Sequence, residues 1–222
     1  MNYINAFLHK ELWEIKSSWK KLMWMSYIIL LPLIFLYNSR FEIIPKQMQP
    51  IYLVTLVAFA VSGQISSNSL IREKNYKTLD IILCKNIPKY SVVIGKILPS
   101  TLIGYIYCLV SLCLLKVASF AIYGNQIKIE VTQLFIILPL AIAYLGSSAS
   151  VLANLIIRDE RVISLMSLII CLLVAGVVYW INIHILQINI YINSLLILII
   201  SFVLNIISIF ILKHSSSLLI KF

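Results

Sequence analysis

Apolar runs of about 20 residues alternate with short clusters of charge along this chain, and that alternation leaves few folds open. A hydrocarbon core about 30 Å thick takes roughly 17–25 residues of a helix that rises 1.5 Å per residue. Six segments have that length: Leu22 to Asn38, Ile51 to Leu70, Ile97 to Ala118, Val131 to Ile157, Val162 to Ile181 and Leu195 to Leu212. The expected fold is therefore all-α, a polytopic membrane protein of six spans, the fourth long enough to tilt or to break near Pro139. Composition points the same way. With 61% hydrophobic side chains and only 12% charged ones, the chain lacks the charge-rich surface of a soluble domain.

Its net charge of +10 would suggest nucleic acid in a soluble protein, but the positions of the cations exclude that reading here. Lys10, Lys16, Lys20 and Lys21, then Arg72, Lys74, Lys77, Lys85, Lys89 and Lys96, then Arg158 and Arg161, then Lys213 and Lys221 lie on one side of the predicted spans. The other side holds Arg40, Lys46, Lys116 and Lys128. Positive charge in short loops resists translocation, so the richer side is cytoplasmic and both termini are expected there.

The layout is one membrane domain, 1–222. Residues 1–21 form an amphipathic interfacial helix, with Ile4, Phe7, Leu8, Leu12, Ile15 and Trp19 at three-to-four spacing. Residues 22–70 hold the first two spans, 71–96 a cytoplasmic segment, 97–212 the other four spans and 213–222 a cytoplasmic tail. The amino terminus lacks the pattern of a cleavable signal, so it is expected on the mature protein. Residues 182–193 carry Asn182, His184, Gln187, Asn189 and Asn193 without Lys or Arg. They read equally as an outer turn or as a segment dipping into the membrane.

Groups that would carry chemistry are sparse. Every Asp and Glu lies in a connection or a terminal segment, so ion coupling through carboxylates at mid-membrane is not expected. His9, His184 and His214 have no acid or nucleophile at useful spacing, and Cys84, Cys108, Cys113 and Cys171 lack metal-ligand spacing. Gly95-Lys96 lacks the upstream glycine and the Ser or Thr of a phosphate-binding loop. The chain is read as a non-enzyme without catalytic residues, metal or cofactor, and any energy for work must come from another polypeptide.

The cytoplasmic segment is the most informative. Thr78 can cap a short helix, with Asp80 near its positive end, and Pro88 stops it. Leu79, Ile82 and Leu83 share one face, suited either to lipid or to a groove on a partner. Arg72-Glu73, then Thr78-Leu79-Asp80, then Pro88, then Gly95-Lys96, on this topology, resembles the permeases of the ABC-2 type. Asp80 stands where Glu is commoner, and Lys85-Asn86-Ile87 where small residues are commoner. The resemblance implies a second permease subunit, the same or different, and separate cytoplasmic ABC ATPase subunits that bind ATP-Mg. It makes Thr78, Leu79, Asp80, Ile82 and Leu83 the coupling helix, and Arg72 and Glu73 a clamp on the amino-terminal helix.

Gln64, Ser67 and Asn68 lie in an unusually polar half of the second span, and Gly146, Ser147, Ser148, Ser150 and Asn154 in the fourth. Close helix packing accounts for such residues, and a translocation path is the sharper alternative. The functional expectation is an exporter of a hydrophobic or amphipathic substrate, such as a lantibiotic-like peptide. A permease of haem or cytochrome c maturation and a non-transporting scaffold or sensor are the alternatives. Frequent Ile, Lys and Asn suggest an AT-rich bacterial genome, and hence the plasma membrane.

Overall fold

The computed structural model describes residues 3–17, 27, 49–84, 87–123, 134–157 and 190–219, with 162, 163, 165–167, 169, 170, 173 and 174. Secondary structure among them is helical throughout. The elements are α1 (Tyr3–Ser17), α2 (Gln49–Asn75), α3 (Thr78–Cys84), α4 (Lys89–Tyr123), α5 (Leu134–Ile156) and α6 (Ile190–Leu219). The first expected span apart from Tyr27, most of the fifth, and residues 182–189 fall outside the described residues, while 190–193 form the first turn of α6.

Three helices are long and apolar enough to cross a membrane: Lys89–Ala118 within α4, Ile137–Ile156 within α5 and Ser194–His214 within α6. These coincide with the expected third, fourth and sixth spans. α2 has the length, but Ser62, Gln64, Ser66, Ser67, Asn68 and Ser69 dilute its hydropathy. At 35 residues α4 is roughly 52 Å long, well beyond the thickness of a bilayer core. Residues 89–96, read from sequence as part of the connecting segment, are the first turns of a helix long and apolar enough to span a membrane. α5 runs through Pro139 as one helix, so the break considered there does not occur.

α2 is the hub, packed against both α4 and α5, while α6 lies on α5 and α1 on α4. Small residues permit this. A Cβ on Gly104 of α4 would come within 2.7 Å of the Ser62 Cβ, and one on Gly146 of α5 within 2.8 Å of the Phe59 carbonyl oxygen. Ser66 and Ser150 add hydrogen bonds across the α2–α5 seam: Ser66 Oγ donates to the Ser147 carbonyl at 3.3 Å and Ser150 Oγ to the Gly63 carbonyl at 2.8 Å. In a membrane, where apolar burial offers little contrast with lipid, such close contacts and hydrogen bonds are the main source of helix association.

α2 ends by the turn at Tyr76 and Lys77. The Tyr76 amide donates to the Arg72 carbonyl and the Lys77 amide to the Lys74 carbonyl, both at 3.0 Å. Lys77 takes the left-handed conformation (φ 55°) typical of the residue that closes a helix. Thr78 Oγ1 donates to the Glu73 carbonyl at 3.2 Å, so this hydroxyl serves the end of α2. Lys74 reaches across to the end of α5, where its ammonium donates to the carbonyls of Asn154 and Ile157. A cation there satisfies free carbonyls and complements the negative end of the helix dipole.

Candidate functional site: a buried charge cluster at the foot of the bundle

α1 lies against the base of α4 because Gly95 lets it. A Cβ at that position would fall 2.6 Å from the Cβ of Phe7. Phe7 and Glu11, one turn apart, are the buried residues of α1. The Glu11 carboxylate therefore enters the bundle beside Lys96, the residue after the glycine.

Lys96 is 2% exposed, a burial that lysine tolerates only with charged and polar partners. Its ammonium donates to Glu11 Oε1 at 2.8 Å and to Ser69 Oγ at 2.7 Å, and lies 3.1 Å from Glu73 Oε2. The last contact is an ion pair without hydrogen-bond alignment. Ser69 Oγ in turn donates to Glu11 Oε2 at 2.7 Å. Glu73 Oε1 accepts from the Lys10 ammonium, and Arg72 sits 3.7 Å from Glu14, which also lies 3.7 Å from Lys10. The cations Lys10, Arg72 and Lys96 thus meet the anions Glu11, Glu14 and Glu73, and the network is neutral.

One atom set joins three elements: α1 through Lys10, Glu11 and Glu14, α2 through Ser69, Arg72 and Glu73, and α4 through Lys96. For Lys10, burial alone would lower the pKa. Its hydrogen bond to Glu73 and the fields of Glu73, Glu14 and Glu11 outweigh that and hold it above the ordinary 10.5.

α3 hangs between the two ends of this network. Leu79 is buried with Leu70, Val93, Ile97, Val151 and Leu212, so its side chain belongs to the core of this chain. Ile82 and Thr78 are half-buried, Ile81 is 55% exposed, and Tyr76 and Tyr90 flank it as exposed aromatics. The side chains of Asp80 and Leu83 fall outside the described residues.

Of the residues considered for a path, Gln64 and Asn68 are exposed and Ser67 is half-buried, its Oγ accepting from Asn154 Nδ2 at 3.0 Å. Reading the sequence missed Glu11 and Lys96 as partners. The available signal was a carboxylate one turn from Phe7 on the apolar side of α1, and a Gly-Lys pair opening an apolar helix. No group of three or more His, Cys, Asp or Glu among the described residues could hold a metal ion.

No family model matches the chain, and no curated protein matches it.

Proposed function

We propose that this chain is the permease subunit of an ATP-driven exporter whose ATPase is a separate polypeptide. The observation that carries the reading is the network around Lys96. It binds α1, α2 and α4 together at both ends of α3, so a force on α3 has a stiff path into the membrane helices. Packing of Leu79 into the core adds a second point of attachment, and Ile81 with Tyr76 and Tyr90 leaves an apolar surface of the kind that partners cover. The resemblance of Arg72-Glu73, Thr78-Leu79-Asp80, Pro88 and Gly95-Lys96 to ABC-2 permeases supports the same assignment.

In this reading α3 faces the cytoplasm of a bacterial plasma membrane and accepts movement from ABC ATPase subunits. Arg72 and Glu73 hold the foot of α2 on α1. Gln64, Ser67 and Asn68 stand at the boundary with a second permease subunit, along which a hydrophobic or amphipathic cargo such as a membrane-active peptide passes.

The test is co-purification with the ABC ATPase subunit that this reading requires. Leu79→Glu would place a charge in the core and report on folding, so Ile81→Glu is the informative variant. It should leave the chain folded and abolish retention of the ATPase. Retention at the unsubstituted level removes the coupling role.

A further inference from the structure

α1 does not lie flat beneath the bundle. Phe7 meets Gly95, Glu11 meets Lys96 and Ser69, and Ile15 packs beside Val57, Val61 and Ile65 with Ile103 and Tyr107. From Phe7 to Ile15 it advances about 12 Å alongside α4, at roughly 1.5 Å per residue. Gly95 and Lys96 come just before the expected third span, Ile97 to Ala118, and Ile103 and Tyr107 lie inside it. The second half of α1 therefore runs from headgroup level to the edge of the hydrocarbon.

What this helix turns away from the bundle is one stripe. His9, Leu12, Trp13 and Lys16 recur at three-to-four spacing opposite Phe7 and Glu11, and all four are exposed, Trp13 by 71% and Leu12 by 50%. Tryptophan at a membrane edge sits among the headgroups, and a lysine there lays its stem on acyl chains while its ammonium reaches the phosphates.

The fold also leaves the stripe its positive charge. Both acids of α1 are spent elsewhere: Glu11 accepts from Lys96, and Glu14 stands 3.7 Å from Arg72 and 3.7 Å from Lys10. Lys16 has no ion-pair partner among the described residues, so its field is directed outward. A lysine in the last turn also offsets the negative end of its own helix, a role that asks nothing of the lipid.

We infer that the outward stripe of α1 binds anionic phospholipid from the leaflet at the foot of the bundle. Lys16 takes the headgroup phosphate, and Leu12 and Trp13 rest on the start of the acyl chains. A zwitterionic headgroup brings a cation of its own, which Lys16 repels, whereas an anionic headgroup brings none. The site requires only that the chain spans a bilayer, whatever it transports.

The experiment uses the full chain in vesicles of phosphatidylcholine and phosphatidylglycerol at equal mole fraction, with Trp19, Trp24 and Trp180 replaced by Phe so that Trp13 alone fluoresces. Bromine is carried near the headgroup end of the acyl chains, on one lipid or on the other. Quenching should report an association about fivefold stronger for phosphatidylglycerol, which is what one cation near an anionic surface provides. Lys16→Gln should bring the two lipids level at an unchanged melting temperature, and Lys16→Arg should keep the preference.

Equal quenching by the two lipids overturns the inference and leaves Lys16 to its helix end. So does a preference that survives Lys16→Gln, or one that inorganic phosphate abolishes at constant ionic strength, which would make the ligand a free anion. Absence of quenching by either lipid overturns it as well, since Trp13 would then face water or another protein. None of these results touches the coupling assignment, which fails separately, at Ile81.

Discussion

Lys77 holds a backbone conformation that costs an L-residue with a side chain roughly 1 kcal/mol, for a turn that glycine would make without strain. Lys77→Gly should raise thermal stability in detergent by up to about 1 kcal/mol, and Lys77→Val, whose branched side chain fits that region worst, should lower it. Lys10 gives a prediction in pH. Its folded pKa lies above the ordinary 10.5, so its contribution is complete below that value and is lost as pH rises through the higher folded one. Stability attributable to Lys10 should be flat from neutral pH to about 10 and fall only above it, and Lys10→Met should abolish that leg of the profile.

Residues of this kind were partly legible in the sequence. Gly95-Lys96 stood out as a pair, and Arg72-Glu73 as a clamp on α1. The partner Glu11 did not stand out, because helical periodicity reports the apolar side of α1 and says nothing of a distant lysine that makes a carboxylate tolerable on it. The contacts of Lys96 span 85 positions to Glu11 and 27 to Ser69, and no local pattern encodes them.

Among the elements, α1 is the one whose attachment is easiest to break. Gly95→Ala must push Phe7 away, at about 1–3 kcal/mol by the general cost of overpacking, and should raise amide exchange in α1 while leaving α5 and α6 protected. Lys96→Met is expected to be worse, about 3–5 kcal/mol, since it leaves two buried carboxylates facing Lys10 alone. Adding Glu11→Gln leaves one cation for one anion, Lys10 for Glu73. The double variant should therefore recover much of the loss in a thermal melt, and equal losses in single and double variants would contradict the network.

The same scale shows where pattern reading stops for α3. Its start at Thr78 and a stop before Pro88 follow from local chemistry. Which side chain faces inward does not, because seven residues make two turns and both Leu79 and Ile81 are apolar. Only the packing of α3 against α2 and α6 decides that Leu79 is inside and Ile81 outside.

At the scale of the whole molecule, the apolar stretches of α4, α5 and α6 were readable from length and hydropathy alone, since lipid imposes both on a span. The true reach of α4 was not, because its first eight residues are polar enough to read as loop until α1 covers them. In the proposed permease the bundle is moved from one end, with α3 as the point of contact and the Lys96 network as the link to α1, α2 and α4. That arrangement works only if α3 lies on the side where ATP is.

Side-specific labelling of a single cysteine at Ile81 tests this most directly, in sealed vesicles of known orientation and in a background without the native cysteines. Reaction with a membrane-impermeant maleimide is expected from the cytoplasmic side alone, with protection when the ATPase is bound. Labelling from the outer side would contradict it.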